Sequence, residues 1–136
     1  ASGFNVTTRK GVCMTTPAIV SPRLSTIVND IRTNGGATWH PFQDTPTDGY
    51  MVSVPGHEVV LGEWEFNEEI LRGYEGDKLS AVYSLGNLFF GAWIDRDKVY
   101  LDLSIHVQDR HEAEIFGRLG GQLAIYEVAT GQEIHL

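Results

Sequence analysis

The sequence predicts an α+β domain: an antiparallel or mixed sheet built from two hairpins plus a C-terminal strand, covered by about three helices. Three observations predict it. Residues 99–105 alternate strictly between apolar and polar side chains, the period of a half-buried strand. Three other stretches carry apolar residues at helical spacing between capping and stop signals. Helices and hairpins are intermixed without a repeating strand–helix–strand rhythm, which argues against a doubly wound nucleotide-binding sheet.

In chain order, residues 1–20 read as a flexible N-terminal arm, rich in Thr, Gly, Asn and Ser, and residues 21–136 as one α+β domain. Phe4, Val6 and Val12 are expected to dock on the body, and Met14 is itself a candidate start, which would make residues 1–13 an upstream extension. Ser21 followed by Pro22 reads as an N-cap and first helical position. Leu24, Ile27, Val28 and Ile31 supply the buried stripe, and Asn34-Gly35-Gly36 stops the helix. Residues 37–40 read as a short strand and 43–49 as an exposed loop. Residues 50–54 and 57–64 read as paired strands around a Pro55-Gly56 turn, the first hairpin.

Asn67 caps a second helix with Glu68 and Glu69 in its first turn, and Ile70, Leu71 and Tyr74 form its buried face. Gly73 and Gly76 weaken it, so a break is expected near Gly76. Residues 88–94 and 99–105 form the second hairpin around a polar turn at Asp95-Arg96-Asp97-Lys98. Asp109 and Glu112 resemble a capping box opening a third helix, whose inner face reads as Ala113, Phe116 and Leu119 with Ile115 flanking. Gly120-Gly121 ends it. Residues 123–128 form the C-terminal strand, and Thr130-Gly131 turns the chain back into a short edge at 133–136.

Composition narrows the function. The chain has 136 residues and a net charge of −8. Such a surface repels nucleic-acid phosphates and anionic membranes, so direct binding to either is not expected. It suits solubility, a basic protein partner or mimicry of a nucleic acid. One cysteine, Cys13, allows neither an internal disulfide nor a cysteine-rich zinc site, and a cytoplasmic location is expected.

Motifs for catalysis are sparse. Gly35-Gly36 and Gly120-Gly121 follow helices, whereas a phosphate cradle needs glycines before one. There is no Gly-x-Ser-x-Gly elbow. His106 and His111 with Asp109 and Glu112 make the one corner that suggests a metal or a proton-handling site, but capping accounts for both acids. His40 and His57 are a weaker pair. Asp95 and Asp97 belong to a turn, where aspartate is common. No cofactor is expected. Asp102 shares a face with Tyr100 and Ser104, and alternation by itself places that face in solvent. Phe89 and Trp93 share one face of their strand and Phe90 the other, so either both sides of the sheet are covered or an aromatic face meets a partner. The candidate interaction surface is therefore Phe89, Trp93, Tyr100, Asp102 and Ser104.

Several segments carry a resemblance. Gly91-Ala92-Trp93-Ile94-Asp95, the run from Lys98 to Ser104, Gln122-Leu123-Ala124-Ile125-Tyr126-Glu127, Thr130-Gly131-Gln132-Glu133-Ile134 and the stretch from Gly49 to Glu58 resemble small acidic proteins of actinobacterial phages and mobile elements. The resemblance implies a setting and no mechanism. A weaker similarity, through Gly91 to Asp95 and Ala124 to Glu127, is to antirestriction proteins that mimic DNA. The chain departs from that outline because residues 99–105 intervene and the third helix carries Arg110 and Arg118. The expected function is a non-enzymatic accessory protein of phage type that binds another protein in the cytoplasm, with a host protein among the candidate partners. A DNA mimic is the first alternative and a small hydrolase or metal-dependent enzyme near His106 and His111 the second. Homodimerisation through the sheet is a further expectation.

Overall fold

The computed structural model describes residues 16–136, with side chains from Arg23 onward in the first helix. The elements are α1 (Thr16–Asn34), β1 (Gly36–Trp39), β2 (Tyr50–Ser53), β3 (Val59–Gly62), a 3-10 turn (Glu63–Glu65), α2 (Glu68–Ser84), β4 (Leu88–Asp95), β5 (Lys98–Val107), α3 (Arg110–Leu119), β6 (Ala124–Glu127) and β7 (Gln132–His135). The seven strands form one sheet in the order β1-β4-β5-β2-β6-β7, with β3 also on β5, and every pairing is antiparallel. The α+β class is as the sequence predicts.

The ten-residue β5 organises the sheet. One edge pairs with β4 from Asp95↔Lys98 to Leu88↔Ile105. The other edge takes both β2, from Tyr50↔Val107 to Ser53↔Ser104, and β3, from Val59↔Leu101 to Gly62↔Lys98. The first expected hairpin is thus not one. β2 and β3 do not pair with each other but run end to end along β5, and from Ser53 to Val59 six residue steps oppose three on β5. The excess forms a detour around Pro55-Gly56. A mutual hairpin would leave half of that β5 edge without backbone partners, and strand N–H and C=O groups are rarely left unpaired. The 88–107 hairpin and the short 124–135 return are as expected.

All three helices lie on one face. α1 and α2 cover β1, β4 and β5, burying Leu24, Ile27, Ile31, Leu71, Tyr74 and Val82 against Trp39, Phe90, Leu101 and Leu103. Trp39 stacks on Phe90 with ring centroids 5.5 Å apart, and Tyr74 meets Phe90 edge-on. α3 covers β2 and β6, where Ala113 packs with Val52, Val107 and Ile125.

Four helix details differ from expectation. α1 begins at Thr16, so Ser21 and Pro22 lie inside it and do not open it. The rest of the arm lies outside the described residues, as does Cys13. α2 runs unbroken through Gly73 and Gly76, because Leu71, Tyr74, Glu75 and Val82 bury its inner face. Ile70 falls outside that face and is exposed. α3 buries Ala113 and Gly117, whereas Phe116 and Leu119 are exposed. A Cβ at Gly117 would stand 2.6 Å from Leu136 Cδ1 and 3.0 Å from Ile125 Cγ2, so the helix approaches the sheet closely along its small residues. The caps agree with expectation: Asn67 Oδ1 accepts from Ile70 N at 2.9 Å, and Asp109 Oδ2 from Glu112 N at 3.0 Å.

One polar tie crosses the core. Arg23 Nη2 donates to both oxygens of Glu75 at 2.7 and 2.9 Å, and Trp39 Nε1 donates to Glu75 Oε2 at 3.1 Å. It joins α1, α2 and β1, and the two charged side chains are only 7% and 8% exposed. Removing one partner strands the other charge in a low-dielectric site. Glu75→Ala is therefore expected to lose about 3–5 kcal/mol in urea unfolding, and the Arg23→Met, Glu75→Leu pair far less. A loss below about 1 kcal/mol for Glu75→Ala would show that the tie is not desolvated.

Candidate functional site

Among the described residues, no helix lies on the second face of the sheet. Odd positions of β4 and even positions of β5 point there, and the register pairs Phe89 with Ser104, Gly91 with Asp102 and Trp93 with Tyr100. All five sequence-derived surface residues thus converge on one face, where the sequence left the aromatic and polar sets apart.

The five have unequal surroundings. Trp93 and Tyr100 stack in parallel, with centroids 4.0 Å apart and planes 6° apart, and Trp93 is 42% exposed. Across β5, Val60 faces Tyr100 and is exposed, and the exposed Trp64 indole lies over Gly62 on the same side. These four side chains make an apolar strip that the sequence did not single out beyond Trp93 and Tyr100. The 3-10 turn folding Trp64 back over a glycine is a tertiary event with no periodic signal.

Phe89 does not belong to that strip. It is buried, because the 40–49 loop crosses this end of the face and sets His40 against it at a ring-centroid distance of 5.4 Å. The loop is pinned by a contact between His106 Nε2 and the Asp48 carbonyl at 2.8 Å. Gly49 permits the approach, since its φ is +80° and a Cβ would meet the His106 ring at 2.5 Å. Ser104, half-buried beside Phe89, lies at the margin of the exposed part.

Asp102 corrects the sequence reading in the other direction. It is 8% exposed, although strand alternation places it in solvent. Gly91 opposite has no side chain, and the carboxylate leans across it: a Cβ there would come within 2.7 Å of Asp102 Oδ1. Ser53 Oγ donates to Asp102 Oδ2 at 2.9 Å. No salt bridge reaches Asp102 among the described residues. Burial raises its pKa above the usual carboxylate range, the Ser53 hydrogen bond opposes that, and the Glu58 charge adds to it.

The histidine sites do not assemble. His106 faces the open side, whereas His111 is exposed in the first turn of α3 on the helix-covered side. His57 contacts Lys78 Nζ at 3.3 Å, and its carbonyl accepts from Tyr74 Oη at 2.7 Å. His40 instead is buried, with Nδ1 accepting from the backbone N–H groups of Phe42 and Gln43 at 3.0 and 3.2 Å. Burial lowers the His40 pKa, with Glu75 opposing and Arg23 reinforcing the shift. No group of three or more His, Cys, Asp or Glu among the described residues is placed to hold a metal ion. No helix among them is long and apolar enough to cross a membrane.

A second exposed apolar group lies on the α3 side, formed by Ile115, Phe116, Leu119 and Leu123. It carries no buried polar residue. No protein-family model, curated protein or solved structure matches the chain.

Two pH effects follow from these environments. His40 favours its neutral form in the fold, so its contribution is present above about pH 6.5 and is lost as pH falls below that value. Thermal unfolding followed by circular dichroism between pH 7.5 and 5.5 should show a falling midpoint, and His40→Asn, which keeps an acceptor in place of Nδ1, should remove much of the fall. An unchanged slope would rule His40 out as its source. Asp102 has the opposite sign of shift for an acid. Its ionised form is disfavoured by folding, a penalty present at neutral pH and relieved as pH drops through the raised pKa. Asp102→Asn should stabilise the protein at pH 7 by on the order of 1 kcal/mol, with the gain shrinking toward pH 4. Destabilisation at pH 7 would contradict that account.

Proposed function

We propose that the chain is a non-enzymatic protein-binding module whose contact surface is the helix-free face of the sheet. The observation that carries this reading is the strip of exposed Trp64, Val60 and Trp93 with half-buried Tyr100, beside a buried carboxylate with no cation among the described residues. Aromatic residues are enriched at the cores of protein interfaces, and a contiguous apolar strip on a sheet is the kind of surface that a partner covers. An accessory role in a phage or mobile element, with a host protein as partner, is the setting the resemblance implies.

Mimicry of DNA has less support. Glu114 is flanked by Arg110 and Arg118, Glu68 pairs with Arg72, and Glu75 is buried with Arg23, so the helical acids are interleaved with arginines.

The test is capture from a lysate of the encoding organism, compared across variants. Trp93→Glu and Val60→Glu change exposed positions and should leave the fold intact while weakening capture of a specific partner by about tenfold or more. Leu119→Glu, on the α3 side, should leave capture unchanged. A partner retained by both sheet-face variants, or lost only with Leu119→Glu, would move the interface off this face.

A further inference from the structure

Three buried polar or charged residues stand out among the described ones: His40, Glu75 and Asp102. Glu75 is matched by Arg23 and Trp39, and His40 is a neutral acceptor for two backbone N–H groups. Asp102 alone has only a hydroxyl donor. A buried carboxylate without a cationic partner is costly, and such a group is a candidate binding site.

The surroundings of Asp102 specify what it would take. Gly91 and Gly36 face the open side next to Trp93, Gly91 two residues along β4 and Gly36 directly across on β1. Neither has a side chain: Gly36 is half-buried and leaves space beside Trp93, and Gly91 is buried beneath the Asp102 carboxylate. The Trp93 indole, stacked on Tyr100, walls one side, with Gly36 opposite Trp93 on β1. The Asp102 carboxylate, leaning over Gly91, closes another side. Trp93 and Asp102 are diagonal neighbours across the β4–β5 ladder, a spacing of about 7–8 Å between strand positions. One planar cation can span that gap, lying against the indole and donating to the carboxylate. Glu58 adds negative charge within reach of Asp102, and the chain's net charge is −8.

We propose that the notch between Asp102 and Trp93, floored by Gly36, receives an arginine side chain of the partner protein. This rests on the sheet face being a protein contact surface, and it assigns that partner's chemistry. Charge complementarity selects the occupant: an apolar side chain would bury the carboxylate still further, whereas a guanidinium supplies the missing donor and uses the indole face.

The proposal is tested by nitrogen–proton correlation spectra of the full chain titrated with capped Gly-Arg-Gly and capped Gly-Gln-Gly. The arginine peptide should give saturable shifts at Trp93 Nε1–H and the Gly91 amide, and the glutamine peptide none. Asp102→Asn should weaken the arginine response by about tenfold or more, and Trp93→Ala should abolish it. Glu133→Gln, distant on β7, controls for general attraction to an acidic surface and should change nothing. Equal shifts from both peptides, no response to arginine, or an undiminished response in Asp102→Asn overturns the proposal. Those results leave the broader interface reading standing, because that reading depends on partner capture by Trp93→Glu and Val60→Glu.

Discussion

The hydrogen-bonded edges of β5 hold the rest of the molecule in register. One edge carries β4 for eight residue pairs, and the other carries two separate short strands. Because side chains alternate strictly along a strand, this double pairing sorts the residues of four strands into two faces at once. Leu101 and Leu103 go to the helices, and Tyr100 and Asp102 go to the other side. The helices need only one stripe each, so α1, α2 and α3 crowd onto a single face and leave its reverse without a helical layer among the described residues. The open face is thus a consequence of how the core was built.

Much of this was legible in the sequence. Period-two alternation marked β5, capping residues marked Asn67 and Asp109, and polar turns marked the 88–107 hairpin. What was not legible has a common physical reason: the deciding partner was remote. Pro55-Gly56 announces a bend, but whether the flanking strands pair with each other depends on a free edge that Lys98 to Val107 provides much later. Phe116 and Leu119 have helical spacing with Ala113, yet Gly117 takes the inner position because close approach to Ile125 favours the smallest residue. Glu75 looks like a surface acid until Arg23, 52 residues away, is placed beside it. Of the candidate surface residues, Trp93 is exposed and Tyr100 and Ser104 are half-buried, whereas Asp102 and Phe89 are buried, Phe89 against the 40–49 loop. Asp102 was recognised as interesting but expected in solvent, because the glycine it leans over belongs to another strand.

The two faces make opposite uses of polar groups. On the helix side, the buried charges of Arg23 and Glu75 satisfy each other and fix the relative positions of α1, α2 and β1. On the open side, a buried charge is left with a single neutral donor next to bare aromatic surface. A protein selected for stability alone would neutralise that carboxylate. Its presence beside Trp93 and Tyr100 separates this patch from the apolar group on α3, which has exposure but no polar group to orient a partner.

The end-to-end arrangement of β2 and β3 on β5 also bears on how the chain reaches its fold. Trp39 on β1 and Met51 and Val52 on β2 find their strand partners only in β4, β5 and β6, far downstream. During synthesis from the N-terminus, the apolar stripe of α1 and the first three strands emerge before any surface exists to receive them. The local 88–107 hairpin is the earliest sheet nucleus that needs no distant segment. The middle of the chain thus supplies the strands against which its beginning is paired.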